Sequence, residues 1–296
     1  MGRMLLRPVR DTADDARAVQ AVTAAAFAPS HALTDGGTAP VEWTAERLVR
    51  FERRVRHLAR TDPGGCWLAE EPDTGPVGVA LAGRREGLWA LSLLAVVPTA
   101  QGKGVGTTLL ARALDHGRGC LRGMICGSRH PVAARLYRRA GFTLHPTMRL
   151  RGVVDPARLD PPDGAVHDGT ERHRDLLDSV DRGVRGGAHG PDHAELLRHH
   201  KLLVTDDLAG SGYAYVSGGK VELLAATSRR LASRLLTAAL LYVPQGEPAL
   251  VKDLTADQQW ALDVGFAAGL DVAGGGYLCL RGMRPPAPYV PSDSYL

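Results

Sequence analysis

The chain has 296 residues, enough for one large or two ordinary domains, and a hydrophobic content of 44%, ample for a buried core. Its net charge of +4 and pI of about 9.0 raise nucleic acid as a partner, yet only four of the 36 basic residues are lysines (103, 201, 220 and 252). A single isoleucine, Ile125, and no asparagine point to a GC-rich gene, so the arginine excess is compositional, and no basic run is interleaved with aromatics.

Met4 to Val9 is predicted to be a first strand. Asp11 to Asp15 reads as a helix cap with acidic first-turn residues, opening a helix to about Phe27. Residues 29–40 read as loop. Thr44 or Ala45 starts a second helix, with Leu48, Phe51, Val55 and Leu58 on one face. Cys66 to Glu70 and Val77 to Ala82 read as paired strands around the turn Pro72-Asp73-Thr74-Gly75-Pro76. The four cysteines (66, 120, 126 and 279) form no C-x-x-C pair, so reduced thiols in a cytoplasmic protein are the expectation. The N-terminus is too weakly apolar for a signal peptide, and no segment approaches the ~18 apolar residues of a membrane span.

Leu88 to Val97 is an apolar run that reads as a buried strand, stopped by Pro98. A glycine-rich turn follows, Gln101-Gly102-Lys103-Gly104-Val105-Gly106, and then a helix from Thr107 to Leu114. Strand, glycine turn and helix start together form an anion site, because free N–H groups and the positive helix end face the turn. A phosphate-binding P-loop needs a lysine after its last glycine, and Lys103 precedes it. A dinucleotide fingerprint needs a third glycine where Thr107 stands. The pattern that fits is Q-x-x-G-x-G, as Gln101, Gly104 and Gly106. Gly123 to Ser128 is a further strand, and a second motif follows it, running from His130 through Pro131, Ala133, Leu136 and Tyr137 to Gly141 and Phe142. Ala133, Leu136 and Tyr137 share one helix face, and Gly141 suits a helix C-terminus. Met148 to Val153 reads as a closing strand.

Taken as a pair, these two motifs resemble the acetyl-CoA loop and the N-P-x-A-x-x-L-Y-x-x-x-G-F helix of the GCN5-related N-acetyltransferases, the GNAT superfamily. The order βααβββαβαβ over residues 1–153 is similar to the order in that family, an α/β fold built on a mixed sheet. The resemblance implies an N-acetyltransferase that uses acetyl-CoA and no metal. It places the diphosphate on Gln101, Gly102, Lys103, Gly104, Val105, Gly106 and Thr107, and the pantetheine along Leu94, Ala95 and Val96 as an added strand. It makes Tyr137 the general acid that protonates the departing thiolate; a phenol with a reference pKa near ~10 holds its proton at neutral pH. His130 stands where the family has asparagine, and coenzyme contact and helix capping are equally open for it. The glutamate that removes the amine's proton in many relatives aligns with Ala90, so Ser92 through a water, or Glu86, are the alternatives nearby. Asp35, Glu42 and Trp43 fall in the region that lines the acceptor site in the family.

Residues 154–169 read as a Pro/Asp/Gly-rich linker. Helices are predicted at Thr170 to Val184, His193 to His200, Arg229 to Tyr242 and Ala256 to Ala268. Strands are predicted at Tyr213 to Val216, Val221 to Ala226 and Ala249 to Leu254. Residues 170–296 repeat the first half: Leu93-Leu94-Ala95 recurs as Leu223-Leu224-Ala225, and Leu150-Arg151-Gly152 as Leu280-Arg281-Gly282. The chemistry does not recur, because Thr227, Arg230 and Ala232 replace Gln101, Gly104 and Gly106, and Gly265 replaces Tyr137. The second half therefore resembles the degenerate repeats of two-domain GNAT proteins.

Two features of that half bear on substrate. Asp178, Asp181, Arg182, Arg185, His189, Asp192 and His193 read as a charged, solvated helix face, with an amine or sugar contact as the alternative. Pro191 between the histidines argues against a helical metal pair. The proline-rich end reads as a stiff tail whose Tyr289, Tyr295 and Leu296 allow docking, and in some two-domain relatives the terminal carboxylate serves as the base, here Leu296. The expected partner is a small-molecule amine, without nucleic acid or membrane, and a homodimer is one open assembly. A coenzyme sensor without turnover, and a protein N-acetyltransferase, are the alternative functions.

Overall fold

The computed structural model describes residues 4–34 and 43–296, and the chain divides into two compact units between Met124 and Ile125. Asp35 and Glu42 lie outside the described residues.

The first unit is an antiparallel sheet with helices on both faces. Its strands are β1 (Leu5–Pro8), β2 (Cys66–Glu71), β3 (Gly75–Arg85) and β4 (Leu88–Val96), paired in that order. Helices α1 (Ala13–Thr34) and α2 (Ala45–Thr61) bury Val19, Val22, Val55 and Leu58 against Val79, Leu81, Leu93 and Ala95. Side chains alternate across a strand, so Gly78 faces the other way, where helix α3 (Val105–His116) packs Leu109 and Val105. A Cβ at Gly78 would come within 2.8 Å of Leu109, which is why this strand position is a glycine. Glu86 and Gly87, both at positive φ, form the two-residue turn between β3 and β4. Thr44 caps α2 by accepting from the Arg47 N–H. Helix α1 runs past Pro29, where the sequence suggests a loop; one proline removes one backbone donor without having to end a helix.

Asp62, at the end of α2, is the polar centre of this unit. It accepts from Arg85 at 2.8 Å, from the Arg84 N–H at 2.8 Å and from Thr61 at 2.7 Å, and it lies 3.0 Å from His116 Nε2. Burial opposes its ionisation, but His116, the Arg85 charge and Thr61 outweigh it and hold the carboxyl well below the usual carboxylate range.

The strand β5 (Arg122–Gly127) leads into the second unit. There the strand order is β5, β12 (Asp271–Arg281), β6 (Thr143–Val153), β11 (Pro248–Leu254), β10 (Lys220–Ala226), β9 (Gly210–Ser217), β8 (Lys201–Asp207) and β7 (His167–Asp168). Helices α4 (Pro131–Arg139), α5 (Arg174–Val184), α6 (Asp192–His199), α7 (Arg229–Leu241) and α8 (Gln259–Ala267) belong to it, and β13 (Tyr289–Val290) pairs with β10. The core gathers Leu150, Leu224, Leu235, Leu236, Val251 and Trp260.

The compact units do not coincide with the sequence repeats, whose boundary falls after residue 153. The last strand of the first repeat, β6, pairs antiparallel with both β11 and β12 of the second. Ladder bonds on both edges make β6, and α4 that precedes it, members of the second unit. Residues 143–153 form one long strand where the sequence suggests a closing strand from Met148 to Val153. Strand β8, an apolar Leu202-Leu203-Val204 run, and β7, inside the expected linker, are additions to the elements predicted from sequence.

Replacing Asp62 by alanine leaves Arg85 buried without its partner, and we expect a loss of about 3–5 kcal/mol in urea unfolding. Because the folded-state value is depressed, the wild-type contribution is fully present above the unfolded carboxylate value near ~3.9 and fades as pH falls below it; the variant should lack this acid dependence.

Candidate functional site

The glycine-rich turn is built by its backbone. Gly102 (φ +76°) and Gly104 (φ +83°) occupy the left-handed region, where a side chain is strained, and a Cβ at either would meet nothing within 4 Å. Gly104 is the N-cap of α3 and offers no side-chain cap. Thr108 is the first residue whose N–H bonds back into the helix, to Gly104 O at 3.0 Å. The N–H groups of Val105, Gly106 and Thr107 are the orphan donors of the first turn, at the positive helix end. Gln101 does not point into this cradle: its amide donates to Val96 O at 2.9 Å and ties the turn to the end of β4. Lys103 is exposed. Leu94, Ala95 and Val96 form the end of β4 that runs into this turn. The exposed, side-chain-free surface suits a diphosphate that backbone amides can approach closely.

Elsewhere in the first unit, Ala90 is buried in β4 and supplies no carboxylate. Glu86 sits in the β3–β4 turn, and Ser92 is half-buried in β4. Trp43 packs edge-on against Phe51, ring centroids 5.2 Å apart, with Arg47 over its face.

Tyr137 lies in the second unit, on α4. It is buried, and its ring packs where a Cβ at Gly127 would stand 3.2 Å away. Burial pushes its phenol well above the ordinary value, so the proton stays on oxygen across the physiological range. His130 takes the N-cap place of α4 by its backbone, and its imidazole makes no capping bond. The capping alternative for that side chain is therefore not realised.

The second repeat has the same helix start in altered form. Ser228 caps α7 by accepting from the Leu231 N–H at 3.3 Å, so the protein's own hydroxyl occupies the place of an anion. Arg230 turns away to Asp163 at 2.5 Å, and Leu231 and Ala232 are buried. Thr227 Oγ1 accepts from the Ser211 N–H at 3.1 Å. Gly265, in the position of Tyr137, has no room for a side chain, since its Cβ would lie 2.5 Å from Leu150 of β6.

The strand edge of the second repeat is also taken. β10 pairs parallel with β11 only at Lys220 and Val221. Beyond that point Leu224 and Ala225 pair antiparallel with Val290 and Tyr289 of the tail. Leu224 to Ala226 are the counterparts of Leu94 to Val96, so the chain's own end fills, in the second copy, the place an added strand would take. The tail is fixed by Asp293, bridging Lys220 (3.1 Å) and Lys252 (2.5 Å), and by Ser292 donating to Glu222 at 2.7 Å. Tyr289, Tyr295 and Leu296 are buried.

The expectation of a solvated face across Asp178 to His193 is wrong for most of its members. Asp181, Arg185, His189, Asp192 and His193 are all buried. Their spacing along the chain hides this, because α5 and α6 are separate helices that bring them together over Tyr213 and Tyr215 of β9. A run of charge in sequence carries no sign of which side faces inward. Among the described residues no helix is long and apolar enough to cross a membrane.

Residues 36–142 match the family model described as Acetyltransferase (GNAT) family. Several solved structures share the fold. A candidate acetyltransferase from Pyrococcus horikoshii is 17% identical, with 99% of this chain and 96% of that one covered at a TM-score of 0.75. A tandem GNAT protein from the clavulanic acid biosynthesis pathway is 14% identical, covering 95% and 99% at 0.58. A fungal GCN5-related glucosamine N-acetyltransferase region, within a multi-domain β-N-acetylglucosaminidase, is 15% identical, covering 95% and 38% at 0.59. No curated protein matches the chain.

Two outcomes are expected. Gly104→Val forces a branched side chain into the left-handed region at a cost on the order of 1–3 kcal/mol, and calorimetry should show the thermal midpoint lowered by several degrees. Removing residues 285–296 should lower the thermal midpoint by several degrees, because it bares the β10 edge and leaves Lys220 and Lys252 without Asp293.

Proposed function

We propose that this chain, whose residues 36–142 match the GNAT family model, is an acetyl-CoA-dependent N-acetyltransferase with a degenerate copy of the same fold behind its catalytic domain. The observation that carries the reading is the open, doubly glycine-bent turn at the start of α3, set against the Ser228-capped start of α7. One helix start leaves its amides for a diphosphate, and the other spends them on its own hydroxyl.

In the proposed reaction the coenzyme's diphosphate is held by amides from Gly102 to Thr107, with its pantetheine along Leu94 to Val96. The acceptor amine attacks the acetyl carbonyl directly. A backbone N–H of that strand holds the developing oxyanion, and the C–S bond breaks as Tyr137 gives its proton to sulfur. The raised phenol value supports this role, because the group is protonated when the thiolate forms. His130 is a candidate coenzyme contact, since its imidazole is not used in capping α4. No metal enters the scheme.

The amine's proton has no acceptor at Ala90. The acceptor is proposed to be a small-molecule amine, of antibiotic or metabolite type. The name of the fungal structural neighbour, a glucosamine N-acetyltransferase region, supports that size class. The missing carboxylate at Ala90 is also the one feature that favours the alternative, a coenzyme sensor without turnover.

Coenzyme A release measured against a panel of small amines, peptides and lysine-bearing proteins separates these readings. Turnover on a small amine should fall by about 10²-fold or more in Tyr137→Phe while acetyl-CoA affinity stays near wild type. Tight acetyl-CoA binding without turnover on any member of the panel would establish the sensor instead.

A further inference from the structure

Three side chains in the interior of the second unit carry polar atoms for which the protein supplies no partner. All three guanidinium nitrogens of Arg185, the Nε2 of His189 and the hydroxyl of Tyr289 are buried without a hydrogen bond. Arg185 is 1% exposed, His189 0% and Tyr289 1%. They share one region: Tyr289 and Tyr213 both pair with Ala225, so their side chains lie on one face of the sheet, where the Tyr213 hydroxyl meets Asp181, and Arg185 follows Asp181 by one turn, its N–H bonded to Asp181 O. Buried polar groups are almost always paired, and a cation without hydrogen bonds is the costliest exception.

Asp181 balances the charge of Arg185 but does not bond to it. One of its oxygens accepts from the Tyr213 hydroxyl. The other accepts from the His189 N–H at 3.0 Å and lies 2.7 Å from His189 Nδ1 and 3.1 Å from His193 Nε2. The opposite nitrogen of His193 meets the Tyr215 hydroxyl at 3.2 Å. Asp181 is saturated, and every donor of Arg185 is left over.

A divalent metal does not answer this need. Asp181, His189 and His193 have donor atoms within 4.8 Å of one another, but those atoms are already bonded among themselves. The unpartnered atoms are chiefly N–H donors of a cation, and a metal would add positive charge beside it. An anion with planar acceptors meets the need, because the guanidinium fork matches the two oxygens of a carboxylate.

We propose that Arg185 and Tyr289 form an internal binding site for a small carboxylate in the second unit, framed by Asp181, His189 and His193. Arg185 takes the two carboxylate oxygens, and the Tyr289 hydroxyl donates a third bond. Burial first, then the Arg185 charge, lower His189 to about 4, so its ring is neutral. With Nδ1–H given to Asp181, its Nε2 accepts from an amino or hydroxyl group on the ligand. Tyr289 belongs to the tail, so docking of the tail completes the site. The ligand is enclosed, exchanges slowly and accompanies the protein through purification.

The test uses the full chain prepared in chloride buffers. Protein is unfolded in acid, and the ultrafiltrate is analysed by proton NMR for small carboxylates. Thermal unfolding is then compared in sodium formate, sodium glycolate and sodium chloride at equal ionic strength. The expected result is either about one equivalent of carboxylate released, or a saturable midpoint rise of several degrees in formate that is larger in glycolate. Arg185→Met should abolish the signal. Tyr289→Phe, which keeps the ring, should weaken binding about tenfold. The proposal is overturned if no carboxylate is released and formate matches chloride. It is also overturned if the signal persists unchanged in both variants, or if zinc chloride raises the midpoint where formate does not.

Discussion

The second unit depends on the seating of β6 between β11 and β12. The final strand of each repeat is placed among those of the other copy: β12 lies between β5 and β6, and β6 between β12 and β11. Backbone hydrogen bonds on both edges of β6 leave no exposed edge there. Several local features follow. Leu150 of β6 occupies the space in front of Gly265, so the second copy cannot hold a side chain where the first has Tyr137. Gly141 and Gly269, both at positive φ, end α4 and α8 so that the chain can turn into β6 and β12.

The same helix start serves different ends in the two copies. At α3 two glycines bend the turn and no side chain intrudes, so the first amides face outward unpaired. At α7 a serine hydroxyl takes one of those amides, and Arg230 and Arg234 close on Asp163. Both are sound solutions to the orphan donors of a helix N-terminus. Only the first leaves a positive helix end open for an anion from outside.

In the second repeat the edge of β10 is covered from within. The tail pairs with β10 beyond the short β10–β11 contact, and lysines 220 and 252 hold it through Asp293. Burial disfavours the charge on Asp293, but the two lysines prevail and keep its carboxyl far below the ordinary range. A tail bound by backbone pairing and a buried ion cluster is part of the core. The polar interior formed by Asp181, Arg185 and His189 lies on the face of the sheet that Tyr213 and Tyr289 share.

Much of this was legible in the sequence. Period and punctuation placed β4, α3 and α4 to within two residues, because an apolar run, a proline stop and glycines at the turns are local signals. The order of elements in the first repeat, the duplication and the loss of both motifs in the second copy were equally readable. The position of β6 was not, because strand partners are chosen by long-range backbone pairing that composition does not encode. Nor was the burial of Asp181, Arg185 and His189: a run of charge reads as a solvated face by default, and only the tertiary packing of α5, α6 and the segment between them turns it inward. The sequence by itself determined which turn is built of glycines, since left-handed backbone demands them. Only the tertiary structure decided where the last twelve residues lie, since the edge they cover exists only once β10 and β11 have parted.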